Sequence, residues 1–97
     1  MPIYFNIKEA REYLLKNRII YTLRDIRKEG QEQVRKSKNT DWYPFEILGF
    51  ANVKLVKKIE NLYDLKDYVI KSGFKTVDDW LVDAKDNRYL YEVKLIK

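Results

Sequence analysis

Neither cysteine nor histidine occurs anywhere in the chain, and at this length that decides how a fold can be held together. Small domains bury a lower share of their surface than large ones and often lean on disulfides or bound metals. Without Cys there is no disulfide and no thiolate metal site, and without His the commonest metal ligand is missing too. The 97 residues must therefore be held by apolar packing, in one domain spanning 1–97. Eight Tyr, four Phe and two Trp can supply it, because each buries a large area. Charged residues make up 36%, which predicts a densely ionic surface over an aromatic core. The same two absences exclude cysteine nucleophiles, serine triads that use His, and a His general base near neutral pH. Much Lys, Ile and Tyr with a single Met suits a hot, intracellular setting.

The opening Met1-Pro2-Ile3-Tyr4-Phe5 lacks the basic start and apolar run of a signal peptide. No stretch approaches the ~20 apolar residues that span a bilayer. A soluble, cytoplasmic protein with no membrane partner is expected. The net charge of +5 is unevenly placed: residues 1–40 hold ten Lys/Arg and five Asp/Glu, and residues 41–97 hold ten of each. A local cationic excess attracts polyanions by neutralising phosphates and releasing counterions.

Asn6 with Glu9 has capping-box spacing, and Ile7, Ala10, Leu14 and Tyr13 or Leu15 recur at helical intervals. This predicts a helix from Ile7 to about Lys16, with Asn17 taking the left-handed conformation that ends it. Ile19–Arg24 reads as a strand. Residues 25–31 form a loop, a second short strand follows at Glu32–Ser37, and Ser37–Asp41 is a turn; a helix over 25–37 is the open alternative. Phe45–Leu48 and Ala51–Ile59 form one long strand interrupted at Gly49, where a bulge or sharp bend is expected. Asn61 with Asp64 starts a second helix, buried through Leu62, Leu65, Val69 and Tyr68 and ended by Gly73. Thr76 with Asp79 starts a third, Val77–Ala84, which buries Trp80 and Leu81. Tyr89–Ile96 alternates as a closing strand, with Tyr89, Tyr91, Val93 and Leu95 on one face. The order α-β-β-β-α-α-β excludes a doubly wound parallel sheet and predicts an α+β fold with a small, closed or nearly closed barrel.

Asn17-Arg18-Ile19-Ile20-Tyr21-Thr22-Leu23-Arg24 resembles the ASCH-domain signature Gly-x-Lys-x-x-Thr-x-Arg. Leu48-Gly49-Phe50-Ala51-Asn52-Val53 is similar to that family's Gly-x-Ala-x-Val strand, and Lys71-Ser72-Gly73-Phe74 with the following helix resembles its Glu-Gly-Phe element. Tyr89–Leu95 resembles its last strand. The four occur in the family's order along the chain. The resemblance implies a PUA-like β-barrel with flanking helices, a cleft beside the first barrel strand, and RNA recognition or handling of modified nucleosides. Some members remove an acyl group from acetylated cytidine with a Lys, a Thr and a Glu. Here the Thr falls on Thr22 and the Arg on Arg24, but the Lys position is Ile19 and the Glu position is Ser72. Neither can act as an acid or base at neutral pH. Arg18, next to the Lys position, stays protonated and would point to the other face of a strand.

The expected function is therefore non-catalytic binding of RNA or single-stranded nucleic acid. Thr22 and Arg24 share one strand face and would meet a phosphate or base. Arg24 could equally pair with Asp25, Asp78 or another carboxylate, since Arg forks suit carboxylates and phosphates alike. Arg18, Arg27, Lys28, Arg35, Lys36 and Lys38 are candidate phosphate contacts. Trp42 or Tyr43 could stack on an unpaired base, although Trp42 could instead cap the barrel as core. Asp78, Asp79, Asp83 and Asp86 are read as helix-dipole acids rather than a metal site, and no cofactor is expected. Two alternatives stand beside this reading. One is a protein-interaction or regulatory module, of the viral accessory kind or a weak homodimer. The other is a divergent nucleoside amidohydrolase.

Overall fold

The computed structural model describes residues 3–5, 7–36 and 47–96. It is an α+β fold whose five strands form one curled, half-barrel sheet flanked by helices. In chain order the elements are β1 (Ile3–Tyr4), α1 (Lys8–Asn17), β2 (Ile19–Arg24), β3 (Gly30–Arg35), β4 (Ile47–Lys58), two 3-10 segments (Leu62–Asp67 and Ile70–Ser72), α2 (Val77–Ala84) and β5 (Tyr89–Leu95). In space the strands run β1-β3-β4-β5-β2. Every pairing is antiparallel except that of β1 with β3.

Alternation along the strands sends one set of side chains into the curl and the other outward. The register aligns Gly30, Val53, Val93 and Ile20 across four strands. On this inner face Ile20, Val34, Ala51, Val53, Tyr91, Val93 and Leu95 pack with Ile3, Phe5 and the buried stripe Ala10 and Leu14 of α1. The outward Leu23 and Leu90 lie opposite each other and join Ile59, Leu65, Trp80 and Ala84 in a second core. The 3-10 segments and α2 thus cover one end of the sheet's outer face. The aromatics do the work that disulfides would do in a stapled domain: Trp80 and Tyr91 are the largest fully buried side chains.

Several expected boundaries shift. The order starts with a strand: β1 is two residues long, too short to leave an alternating pattern, and is recruited by β3. In α1 the N-cap is Ile7, with no side-chain cap, and Asn6 lies outside the described residues. Arg18, not Asn17, takes the left-handed position, at φ 64°. Asn17 remains helical and its amide donates to the Tyr13 carbonyl (3.0 Å). Leu15 is exposed, and Ile7 and Tyr13 flank the core instead. The segment 30–35 is a strand rather than a helix.

The long strand β4 runs through Gly49, and the expected irregularity is there: Val34 pairs with Gly49 but Arg35 with Ile47, leaving Leu48 extra. A second shift sits at Val56. The predicted second helix is instead two 3-10 pieces. Asn61 does cap, accepting from the Tyr63 amide (3.0 Å), but Asp64 turns away to Lys57 (2.9 Å). Tyr68-Val69-Ile70 is a run of weak helix formers. The Tyr68 ring lies 5.0 Å from that of Tyr21, and Leu62, expected to be buried, is exposed. Gly73 still terminates the segment, at φ 85°. The helix α2 keeps its expected bounds, with the Thr76 hydroxyl accepting from the Asp79 amide (3.1 Å); Trp80 is buried and Leu81 half-buried. The turn 37–41, Phe45, Lys38, Trp42 and Tyr43 lie outside the described residues. None of the described helices is long and apolar enough to cross a membrane.

Candidate functional site

The C-terminal half of β2 delivers Thr22 and Arg24 to the inner face, where the N-terminus of α1, the Ser72–Phe74 turn and the end of α2 converge. Phe5, Ile7, Ala10, Thr22, Arg24, Ser72, Phe74 and Asp83 enclose a cavity of about 20 Å³, room for about one water. Thr22, Arg24 and Ser72, three positions that carry the resemblance, therefore meet in one place although Ser72 is far away in sequence. Ile19 does not join them. It pairs with Lys94 on the outward face of β2, whereas Thr22 pairs with Tyr91 on the inward one.

Ser72, Thr22 and Arg24 in this cleft each already have a partner. The Ser72 hydroxyl, buried at 1% exposure, donates to the Val69 carbonyl and accepts from the Phe74 amide (3.2 Å), so its turn consumes it. Arg24 Nε donates to Thr22 Oγ1 (3.2 Å), and Nη2 donates to the Tyr4 carbonyl (2.6 Å). Its guanidinium lies 4.8 Å from the centre of the Phe5 ring. Arg24 makes no ion pair with a described carboxylate; Asp25 accepts from the Ile26 amide instead (2.8 Å). Burial, helped by repulsion from Arg27 and opposed by Asp83, lowers the Arg24 pKa to about 10, so it stays charged at neutral pH. Because β1 and β2 are the two open edges of the sheet, Arg24 clasps one edge to the other.

A polar groove of about 230 Å³ continues from this point, walled by Thr22, Leu23, Arg24, Asp83, Ala84, Lys85 and Asn87. Arg27 closes the same mouth of the curl. It pairs with Glu32 at 2.8 Å, both side chains being less than one-fifth exposed. The Tyr91 hydroxyl accepts from the Arg27 amide (2.8 Å) and donates to its carbonyl (3.0 Å). Lys28 beside it is exposed. Arg35 Nε donates to Gln33 Oε1, and the Arg35 carbonyl accepts from the Phe5 amide (2.9 Å). Lys36 is exposed. Arg18 stands at the opposite end of β2, on the cap of α1 and not on the strand. The structure thus brings Thr22, Arg24 and Arg27 together, puts Arg35 and Lys36 across β1 from them, and leaves Arg18 apart.

Sequence reasoning passed over Asp83 as a helix-dipole acid, yet it faces Arg24 from α2. No local signal pairs the end of α2 with the end of β2. It also missed the Tyr21 hydroxyl, which donates to Glu92 Oε2 (3.0 Å). Burial, and then the bond to and charge of Glu92, raise the Tyr21 pKa above its usual value. The folded state holds that proton more tightly, so the contribution is full below about pH 10 and is lost as pH climbs through the raised value. Tyr21→Phe should therefore lose less stability than the parent as pH rises above about 10; identical changes in urea midpoint for the two on that rise would count against it. Among the described residues no cluster of three acids converges as a cation site. No family model, curated protein or solved structure matches the chain.

Proposed function

We propose that this chain is a non-catalytic, nucleic-acid-binding domain of ASCH-like kind, working in the cytoplasm on RNA or another single strand. The observation that carries it is the state of the charges on the α1-β2-β3 side. Residues 3–36 hold nine Lys/Arg against five Asp/Glu, and four of the acids have local partners: Glu12 with Lys8 (3.9 Å), Glu32 with Arg27 (2.8 Å), and Asp25 and Glu29 on backbone amides (2.8 Å each). Lys16, Arg18 and Lys28 project into solvent without an ion pair to any described residue. Cations held out in this way suit phosphates, which give affinity without sequence choice. The reading is non-catalytic because the resemblance's other two catalytic positions supply no acid or base to the cleft at Thr22: Ile19 faces away and Ser72 is consumed by its own turn, while the one described carboxylate lining it, Asp83, stands at none of the three positions.

The test is a titration of a short fluorescent oligouridylate at several salt concentrations. Each phosphate contact adds about 0.7 to the salt slope for a single strand. The double variants Lys28→Ala/Lys36→Ala and Lys16→Ala/Arg18→Ala are each expected to flatten it by about 1.4 on the same scale. Slopes unchanged in both variants would reject the proposed side. A second reading, a protein-binding module, is favoured by the groove of about 750 Å³ between the first 3-10 segment and α2, lined by Leu62, Tyr63, Lys66, Val77 and Leu81. Tyr63 there is 72% exposed. Partner binding insensitive to salt, with no retention on a polyanion, would select it.

A further inference from the structure

Among the described residues, the outer face of the sheet is covered only at the end where Leu23 and Leu90 meet α2. At the other end the register sets out its surface in rows. Gln31, Asn52, Lys94 and Ile19 lie side by side across four strands, and Gln33 faces Phe50 in the next row. Lys54 faces Glu92, beside Tyr21. Phe50 is 51% exposed in the middle of its strand, and Ile96, whose amide donates to the Phe50 carbonyl (3.0 Å), is 41% exposed. A phenyl ring left in water on a sheet face costs free energy unless something covers it.

What surrounds the ring says what would cover it. Beside it stand the amides Gln31, Gln33 and Asn52, Ile96 across the strand pair and Lys94 on the diagonal, with Lys54 four residues further along the same face of β4; neither lysine makes an ion pair with a described carboxylate. The one acid of the face among the described residues, Glu92, already accepts from the Tyr21 hydroxyl (3.0 Å). Lys is depleted in the centres of protein–protein interfaces, which are apolar and poor in charge. An exposed ring set among amides, with Ile96 on one side and a lysine on its diagonal, is instead suited to an unpaired nucleotide. The base stacks on the ring, the amides meet its edge, and a lysine about 7–8 Å away on the diagonal reaches the phosphate.

We infer that the Phe50 face is a base-stacking platform for single-stranded nucleic acid, with Lys54 and Lys94 as its phosphate contacts. This rests on the nucleic-acid reading above but uses a different surface, on the outside of the sheet rather than at the β2 cleft. It makes single strands the ligand class, because a paired base offers no face to stack on.

The experiment titrates the full chain with fluorescent oligouridylate and with a duplex RNA of equal length, and follows the parent, Phe50→Ala, Phe50→Trp and Lys54→Gln/Lys94→Gln. Phe50→Ala is expected to weaken single-strand binding roughly 5- to 150-fold, with the salt slope and duplex binding unchanged. Phe50→Trp is expected to bind at least as tightly as the parent. The lysine pair is expected to flatten the slope by about 1.4. Thermal melts confirm that each variant is folded; Phe50→Trp keeps a stacking ring should Phe50→Ala not fold. If Phe50→Ala binds like the parent while Lys28→Ala/Lys36→Ala does not, the platform is wrong and the cationic side stands. If the parent binds no oligonucleotide, both are wrong. If Phe50→Ala instead abolishes a concentration-dependent self-association of the parent, the face belongs to a second copy and the inference is overturned.

Discussion

Replacing Gly73 with alanine is expected to destabilise the protein by about 3 kcal/mol, lowering its melting temperature by roughly 12–24 °C. Two costs combine. The residue sits at φ 85°, where an L side chain costs ~1–2 kcal/mol. A Cβ there would also stand 2.8 Å from the Ala10 Cα and 3.0 Å from the Glu9 carbonyl oxygen, and overpacking costs ~1–3 kcal/mol. Reduced freedom of the unfolded chain returns only about 0.4–1 kcal/mol. The obstruction is backbone of α1, which cannot swing aside as a side-chain tip could. Gly30→Ala separates the two costs, because φ there is 130° but nothing lies within 4 Å of the added carbon. Gly73→Ala should therefore be clearly the more damaging of the two in urea melts. Equal losses would mean that α1 accommodates the methyl group and that the close approach carries no energy.

That close approach also marks where sequence reasoning reaches and where it stops. Gly73 was legible as a terminator, because a glycine after an apolar periodic stretch has a local reason to be there. Its contact with α1 was not, since nothing local to residues 70–76 names residues 9 and 10 as neighbours. The same division runs through the rest of the fold. Ile19–Arg24, Val77–Ala84 and the closing strand were readable from alternation and from caps, which are properties of neighbouring residues. β1 was not, because two residues carry no period and the parallel pairing with β3 supplies its reason to exist. The 61–72 segment shows apolar spacing overruled: Tyr68-Val69-Ile70 breaks the helix where tertiary packing against Tyr21 rewards a turn.

The site divides in the same way. Placing Thr22 and Arg24 on one face needed only the two-residue period of a strand. What the guanidinium does there could not be read, because its main partner is the Tyr4 carbonyl, on a strand that the pattern did not reveal. Phe50 was read as part of a strand motif. That it is an outward ring follows only from the Gly49 register shift and from which face α1 covers.

Arg24→Ala is expected to cost about 3 kcal/mol of stability while changing polyanion affinity per folded molecule less than about twofold. The sheet's edges, β1 and β2, have no ladder between them; the guanidinium joins them through Tyr4 at 2.6 Å and Thr22 at 3.2 Å. A hydrogen bond from a charged donor contributes ~1.5–3 kcal/mol, and a desolvated contact with the Phe5 ring adds about 1–2 kcal/mol. Burying the charge opposes both, as the lowered pKa of about 10 records, so the net loss falls below the simple total. Arg24→Lys should recover part of it. A single ammonium can reach the Tyr4 carbonyl or the Thr22 hydroxyl, but it lacks the planar fork that serves both. Urea melts of the three proteins, paired with oligouridylate titrations under native conditions, separate a clasp from a ligand contact. A variant as stable as the parent that has lost its affinity would make Arg24 a phosphate-binding residue. A destabilised variant that still binds means that the charge predicted to hold a ligand closes the sheet instead, leaving recognition to the exposed lysines.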